Sequence, residues 1–302
     1  MKICFVYSNR AEFSEIEPFY KTCRLSNTVR LLNLSKIIKN LDDDRNLGQV
    51  YSKCYTIFSK NKFDFIIVLG DRRELPFVAI PAFYLGIKLV HIASGDQAES
   101  ITIYDQHIRS VTSLLSNIQI CFSEKSKKNI DKIFSSIPYL KSNSFYIGNP
   151  VFKNFNLEKL KNPYNEKFDL VLLHPQSRSA TETKKDILKL KKLISDKKTI
   201  FIEGNNDENS NLIKDFYKKL KNNKKYIFVK NLKKLEYFSH VKYCQRFITN
   251  SSSIDEIIYL NKKSLIVIGK RNLNRNHDNF IENAPEKLIK ILKNNRKIII
   301  KN

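Results

Sequence analysis

The sequence has no paired cysteines, no long apolar run, few glycines and a shortage of acid. Its five cysteines, at 4, 23, 54, 121 and 244, form no C-x-x-C pair, and four of them sit inside apolar or helical runs. That argues against a disulfide framework and for reduced thiols in a cytoplasmic protein. No apolar stretch approaches the roughly 20 residues that a membrane helix needs. The opening MKICFVYSNR carries a short apolar run broken by Asn9 and Arg10, with no cleavage site after it, so it does not read as a secretion signal. There is no internal repeat and no low-complexity tract.

Acidic residues number 30 against 54 basic ones, a net charge of +24. Such a balance raises the possibility of a nucleic-acid partner, because clustered Lys and Arg neutralise phosphates. The distribution argues otherwise. Most of the cations are lysines scattered in pairs along helical stretches such as TKKDILKLKKLISDKK, with no basic stripe rich in aromatics and no nucleic-acid-binding module. A solvated lysine coat is the reading adopted, with neither nucleic acid nor membrane as partner.

What is present is a regular alternation. The apolar runs KICFVYS, VRLLNLS, FDFIIVL, KLVHIA, IQICFS and SFYIG fill the first half, and FDLVLLH, TIFIE, KYIFVK, RFITN and SLIVIG the second. Helix-length segments separate them, among them ELPFVAIPAFYLG, in which Pro81 is expected to kink or shorten the helix. Continuous apolar strands between helices indicate parallel sheets covered on both faces. The expected fold is α/β, two Rossmann-like doubly wound domains facing a cleft. The strand-free segment NPVFKNFNLEKLKNPYNEKF places the boundary, giving domains 1–150 and 151–302. With 302 residues the chain is long enough for both.

Of only seven glycines, Gly70, Gly95, Gly148, Gly204 and Gly269 follow strand runs. Carboxyl ends of parallel strands are where such sheets bind ligands, so the neighbours of these glycines are the candidate site residues. Arg10 opens a helix after the first strand, placed to meet an anion or simply to be solvated. Asp71 follows Gly70 as an N-cap or a catalytic carboxylate. His91 interrupts an apolar run that ends in Ala93, Ser94, Gly95 and Asp96. Asp105 and Arg109 stand four apart on a helix, where they can pair. In the second half, His174 ends a strand, Asn205 follows another, and Ser251 and Ser252 begin a serine-rich helix start suited to a diphosphate or to capping. Arg271 and Arg275 lie just past the last strand.

In this order, SNRAEFSEIEP, FDFIIVLGDR, LGIKLVHI, DQHIRSVTSLLS, LLHPQS, NNDENS, TNSSS and IGKRNLNR resemble the UDP-N-acetylglucosamine 2-epimerase family, most closely its hydrolysing branch, across nearly the whole chain. The resemblance implies the GT-B-like fold of two-domain nucleotide-sugar glycosyltransferases. It implies removal of the C2 proton of a UDP-amino sugar, expulsion of UDP, and addition of water to give free N-acetylmannosamine, with no cofactor and no metal. On this basis Asp71 and Asp105 are acid/base carboxylates and His91 lines the sugar side. Arg10, His174, Ser251, Ser252 and Arg271 hold the diphosphate with Asn205 nearby, Arg109 shapes the site, and Glu256 stands near the family's uridine-side glutamate.

The chain departs from the family pattern at several of these points. The glutamate expected after HI is Ala93, with Asp96 or Glu99 as substitutes, and the D-D-x-I-R-H element has Gln106 and Ser110. The tail after Arg275 looks short for a chain that returns a helix to its first domain. The diphosphate side is therefore better kept than the sugar side. A glycosyltransferase of the same fold, which needs no C2 base, and a non-catalytic UDP-sugar-binding relative stay open beside the epimerase. So does assembly as a homo-oligomer.

Overall fold

The computed structural model describes residues 1–41, 43–97, 104–176, 179–204, 207–230, 232–273, 275 and 277–296. The chain divides into two compact units. The first gathers Met1–Gln97, Asp105–Asn154 and the described residues from 277 onward, and the second is Tyr104 with the described residues of Phe155–Arg275.

The first unit is built on β1 (Lys2–Tyr7), β2 (Thr28–Asn33), β3 (Phe65–Leu69), β4 (Lys88–Ile92), β5 (Ile118–Cys121) and β6 (Ser144–Tyr146). They form one parallel sheet in the order β2-β1-β3-β4-β5-β6. Its helices are α1 (Arg10–Arg24), α2 (Leu34–Ile37), α3 (Leu47–Asn61), α4 (Leu75–Tyr84), α5 (Asp105–Leu114) and α6 (Glu124–Ser135). The central strands are largely apolar because both faces are covered, and β3, FIIVL, is buried at every position. Ile3, Phe5, Phe65 and Ile67 point into a core shared with Ile16 and Phe19 of α1, while Cys4, Val6, Ile66 and Val68 meet Val50, Cys54 and Val78 of α3 and α4. Pro81 lies inside α4, which ends one turn later.

The second unit repeats the plan with β7 (Asp169–Leu172), β8 (Thr199–Ile202), β9 (Tyr226–Val229), β10 (Arg246–Thr249) and β11 (Leu265–Val267), all parallel in the order β11-β10-β7-β8-β9. Its helices are α7 (Ala180–Leu193), α8 (Ser210–Leu220), α9 (Lys234–Tyr243) and α10 (Ile254–Asn261). The fold is thus the expected pair of Rossmann-like α/β domains, and each apolar run read as a strand is one.

The chain's end departs from the expected boundaries. Helix α11 (Ala284–Asn295) does not belong with residues 155–275. Ala284, Leu288 and Leu292, spaced four apart, are fully buried in the core of the first unit beside α1. Lys88 Nζ closes the helix end by donating to the carbonyls of Asn295 (2.5 Å) and Arg296 (2.9 Å), a favourable place for a cation. The tail therefore supplies the returning helix that its length had argued against. Among the described residues no helix is long and apolar enough to cross a membrane.

Candidate active site

In a doubly wound sheet the ligand crevice lies at the carboxyl ends of the strands where the order reverses. In the first sheet that point falls between β1 and β3, and in the second between β7 and β10. Both are lined by residues singled out from the sequence.

At the end of β3 the chain turns through Gly70, whose φ of +82° suits a residue without Cβ. Next comes Asp71, whose carboxylate accepts from Arg109 Nη2. Arg109, on α5, is 5% exposed and also donates through Nη1 to the Asp96 carbonyl (2.9 Å) and carboxylate (3.0 Å). One buried guanidinium thus holds two carboxylates that are far apart in sequence. The turn after β4 makes this possible. Ala93 and Gly95 are both left-handed, at φ +59° and +73°, and bring Asp96 back toward Arg109. Ala93 occupies that conformation at a cost of about 1 kcal/mol. Gly95 is required there, since a Cβ would fall 2.1 Å from the carbonyl oxygen of Ser126. Asp105 is the first residue of α5 and half-buried. The expected i,i+4 pairing with Arg109 is replaced by these two longer-range partners. Ala93 contributes no acid, and Asp96 is the carboxylate delivered by this turn.

His91 does not line a crevice. Its side chain is fully enclosed at 0% exposure, and both ring nitrogens meet protein atoms: Nε2 lies 2.6 Å from the Gly70 carbonyl and Nδ1 2.8 Å from the Ser113 hydroxyl. Burial, aided by the Arg109 charge, pushes its pKa down to about 4, so the ring is neutral. This corrects its assignment to the sugar side.

Three further charged residues at the β1/β3 reversal went unrecognised in the sequence. Glu12 accepts from the backbone N–H groups of Ser8 (2.7 Å) and Asn9 (3.1 Å), while Asn9 Oδ1 accepts from Glu12 N–H, closing a capping box on α1. Fully buried Glu74 lies 3.3 Å from Arg72 Nε. Burial and the neighbouring Glu74 push Glu12 up to about 7. The signals were available as S-N-x-x-E and D-R-x-E directly after strands. Arg10 is the exposed first residue of α1.

At the second reversal His174 lies two residues past β7, and Asn250 one past β10. Asn250 is fully buried and bridges them in both directions: its Oδ1 accepts from His174 N–H (2.7 Å) and its Nδ2 donates to the His174 carbonyl (2.8 Å). Asp186, held by Gln176 Nε2 (3.0 Å), takes a further bond from Asn250 (3.3 Å). Gly269 leaves room for that carboxylate, because a Cβ there would stand 2.4 Å from both of its oxygens. Arg271 donates to the Pro175 carbonyl (3.0 Å), and Asn272 to the carbonyls of Asn250 (3.0 Å) and Ser251 (2.6 Å). His174 is pushed down to about 3 by burial and then by Arg271, so it is a neutral ring at neutral pH.

Ser251 is buried and Ser252 exposed, just before the N-cap Ser253 of α10. Glu256 lies half-buried in the first turn of that helix. A neutral imidazole, an arginine and a serine-rich helix start have the donors that an anion such as a diphosphate requires. Asn205 and Glu99 lie outside the described residues. Among the described residues no three His, Cys, Asp or Glu side chains cluster as metal ligands.

Known proteins agree with this architecture. The chain is 30% identical over 254 residues to a GDP/UDP-N,N'-diacetylbacillosamine 2-epimerase (hydrolyzing) of Campylobacter jejuni, a match covering 78% of this chain and 64% of that one. It is 29% identical to the polysialic acid biosynthesis protein P7 of Escherichia coli over 72% of this chain and 58% of that one. The chain therefore spans less than two thirds of these relatives. The crystal structure of a Methanocaldococcus jannaschii UDP-GlcNAc 2-epimerase in complex with UDP-GlcNAc and UDP superposes with a TM-score of 0.76 at 17% identity, covering 97% of this chain and 100% of that one, a likeness of fold. The model of one family, UDP-N-acetylglucosamine 2-epimerase, matches residues 23–301, and the chain belongs to that family.

Proposed function

We propose that the chain is a hydrolysing 2-epimerase that converts UDP-N-acetylglucosamine, or a closely related UDP-amino sugar, to UDP and the free 2-epimeric sugar. The supporting observation is the pair Asp71 and Asp96 held on buried Arg109 at the ends of β3 and β4. The C2 proton of the sugar is weakly acidic and needs a positioned carboxylate base. In this reading Asp71 takes that proton as the C1–O bond breaks and its electron pair leaves with UDP. The resulting glycal then accepts water, with hydroxyl adding at C1 and a proton at C2 from the opposite face. In this reading Asp96, paired with Arg109, is the second carboxylate that relays these protons, in place of the acid absent at Ala93. Arg109 keeps two neighbouring anions together at tolerable cost.

The second unit supplies leaving-group stabilisation in this proposal. Charge grows on the departing diphosphate, so donors fixed beforehand lower the barrier. His174, Arg271, Ser251 and Ser252 are the groups we assign to it. The five buried, unpaired thiols suit a cytoplasmic setting.

The test is turnover in heavy water with UDP-GlcNAc and with UDP-N,N'-diacetylbacillosamine, followed by NMR. The expected products are UDP and a free 2-epimerised sugar carrying deuterium at C2. Asp71→Asn should slow the reaction by roughly 10²–10⁴-fold, the usual effect of losing a general acid/base. Release of UDP with no deuterium at C2 would show transfer or plain hydrolysis instead. Saturable UDP-sugar binding without any turnover would point to a binding protein.

A further inference from the structure

We infer that His91 is a positioning residue, an Nε2-protonated strut that ties the Gly70 carbonyl to the Ser113 hydroxyl and so sets Asp71 against Arg109. The inference rests on the role proposed above for Asp71. The ring's own partners decide its proton. A carbonyl oxygen can only accept, so the 2.6 Å contact with Gly70 requires the hydrogen on Nε2. A bare nitrogen there would face oxygen lone pairs at that distance.

A neutral ring carries one hydrogen, which leaves Nδ1 as an acceptor for the Ser113 hydroxyl at 2.8 Å. Ser113 then accepts in turn from the Ser94 hydroxyl, 3.0 Å away. The whole chain from Gly70 to Ser94 runs through fully buried side chains, in surroundings where each bond is strong and each loss costly.

Its endpoints show what the strut does. Gly70 immediately precedes Asp71, and Ser113 lies one helical turn beyond Arg109 on α5. The two groups that pair across the site are thus each anchored, at one remove, to opposite edges of the same imidazole. The charged groups that face the ring, Arg109 and Asp71, belong to the pair being positioned. Arg109 opposes a second proton on His91, so the strut keeps one arrangement of donors and acceptors.

Long-range proton–nitrogen NMR of the full chain, labelled with ¹⁵N-histidine, reads the tautomer directly. Loss of one signal in His91→Gln assigns it among the five histidines. The expected result is an Nε2–H ring whose shifts stay constant between about pH 5.5 and 8, where an unperturbed histidine titrates. An Nδ1–H ring, or a ring that titrates in that window, overturns the inference. Kinetics give the second reading. His91→Leu should lower kcat on the order of 10²-fold, as loss of alignment does, with UDP affinity unchanged. His91→Gln, which retains an amide N–H for Gly70 and a carbonyl for Ser113, should restore most of it. Equal losses in UDP affinity and kcat would refute a positioning role. If the wild-type chain turns over no UDP sugar, the functional proposal fails, while the tautomer measurement still decides the strut.

Discussion

Replacing Arg109 with methionine tests the arrangement at its centre. Methionine has similar length and packs well in a buried site, so the main change is electrostatic. In the wild type one guanidinium, 6% exposed at its side chain, compensates two carboxylates that are 25% (Asp71) and 10% (Asp96) exposed. Breaking a buried pair by removing one partner costs about 3–5 kcal/mol, because an uncompensated charge is left behind. Here two are left, but the partial exposure of Asp71 admits water and moves the expectation to the lower end, about 3 kcal/mol. That is on the order of a 10²-fold change in the folding equilibrium.

The assay is urea denaturation near pH 7.5, for Arg109→Met, Asp96→Asn and the double variant. If the two acids depend on a common cation, Asp96→Asn should be destabilising in the wild-type background. In the methionine background it should be neutral or stabilising, with a coupling of about 1–3 kcal/mol. The methionine variant's deficit should also narrow on acidification, as a proton replaces the missing cation. A cost below about 1 kcal/mol for Arg109→Met, or strict additivity with Asp96→Asn, would refute the shared-cation geometry and with it the proposed role of Asp96.

Two further outcomes concern stability. Gly95→Ala should destabilise by about 3 kcal/mol or more in thermal melts. Its φ of +73° is unfavourable for alanine, and the new Cβ would fall 2.1 Å from a backbone carbonyl that cannot move aside. The pH dependence of stability should show groups of opposing sign, with the lowered histidines, His240 among them, set against Glu12. His91 and His174 are pushed down to about 4 and about 3, so below about pH 6.5 the unfolded chain takes up protons that the native state refuses, and stability falls as pH drops toward 4. Glu12, pushed up to about 7, keeps a proton that the unfolded chain releases, so its contribution is lost as pH rises from about 4.5 to 7. Near pH 5.5 the histidine contributions oppose that of Glu12. Glu12→Gln should make stability rise more steeply with pH between about 4.5 and 7, and a slope unchanged in this variant would contradict the placement of Glu12.

The strands were legible because their signal is local. A buried parallel strand is apolar at every position, as FIIVL at β3 shows, and the helices between carry their own periodicity and caps. The carboxyl ends of those strands, with Asp71 and His174 beside them, followed directly, and the order of short motifs carried the family. Interactions that require the chain to come back on itself were not legible in the same way. Arg109 and Asp105 stand one helical turn apart, so sequence spacing favoured their pairing. Tertiary structure turned the guanidinium to Asp71 and Asp96 instead, through left-handed turns at Gly70, Ala93 and Gly95. His91 looked like a site residue for its chemistry, yet its neighbours Gly70 and Ser113 satisfy both nitrogens in the interior. Helix α11 has an apolar stripe that any sheet face could cover, and only three-dimensional packing assigns it to the first unit. Composition and periodicity thus determined the elements and their class. Which side chains meet was decided by strand order and turn geometry, since those contacts join residues tens of positions apart.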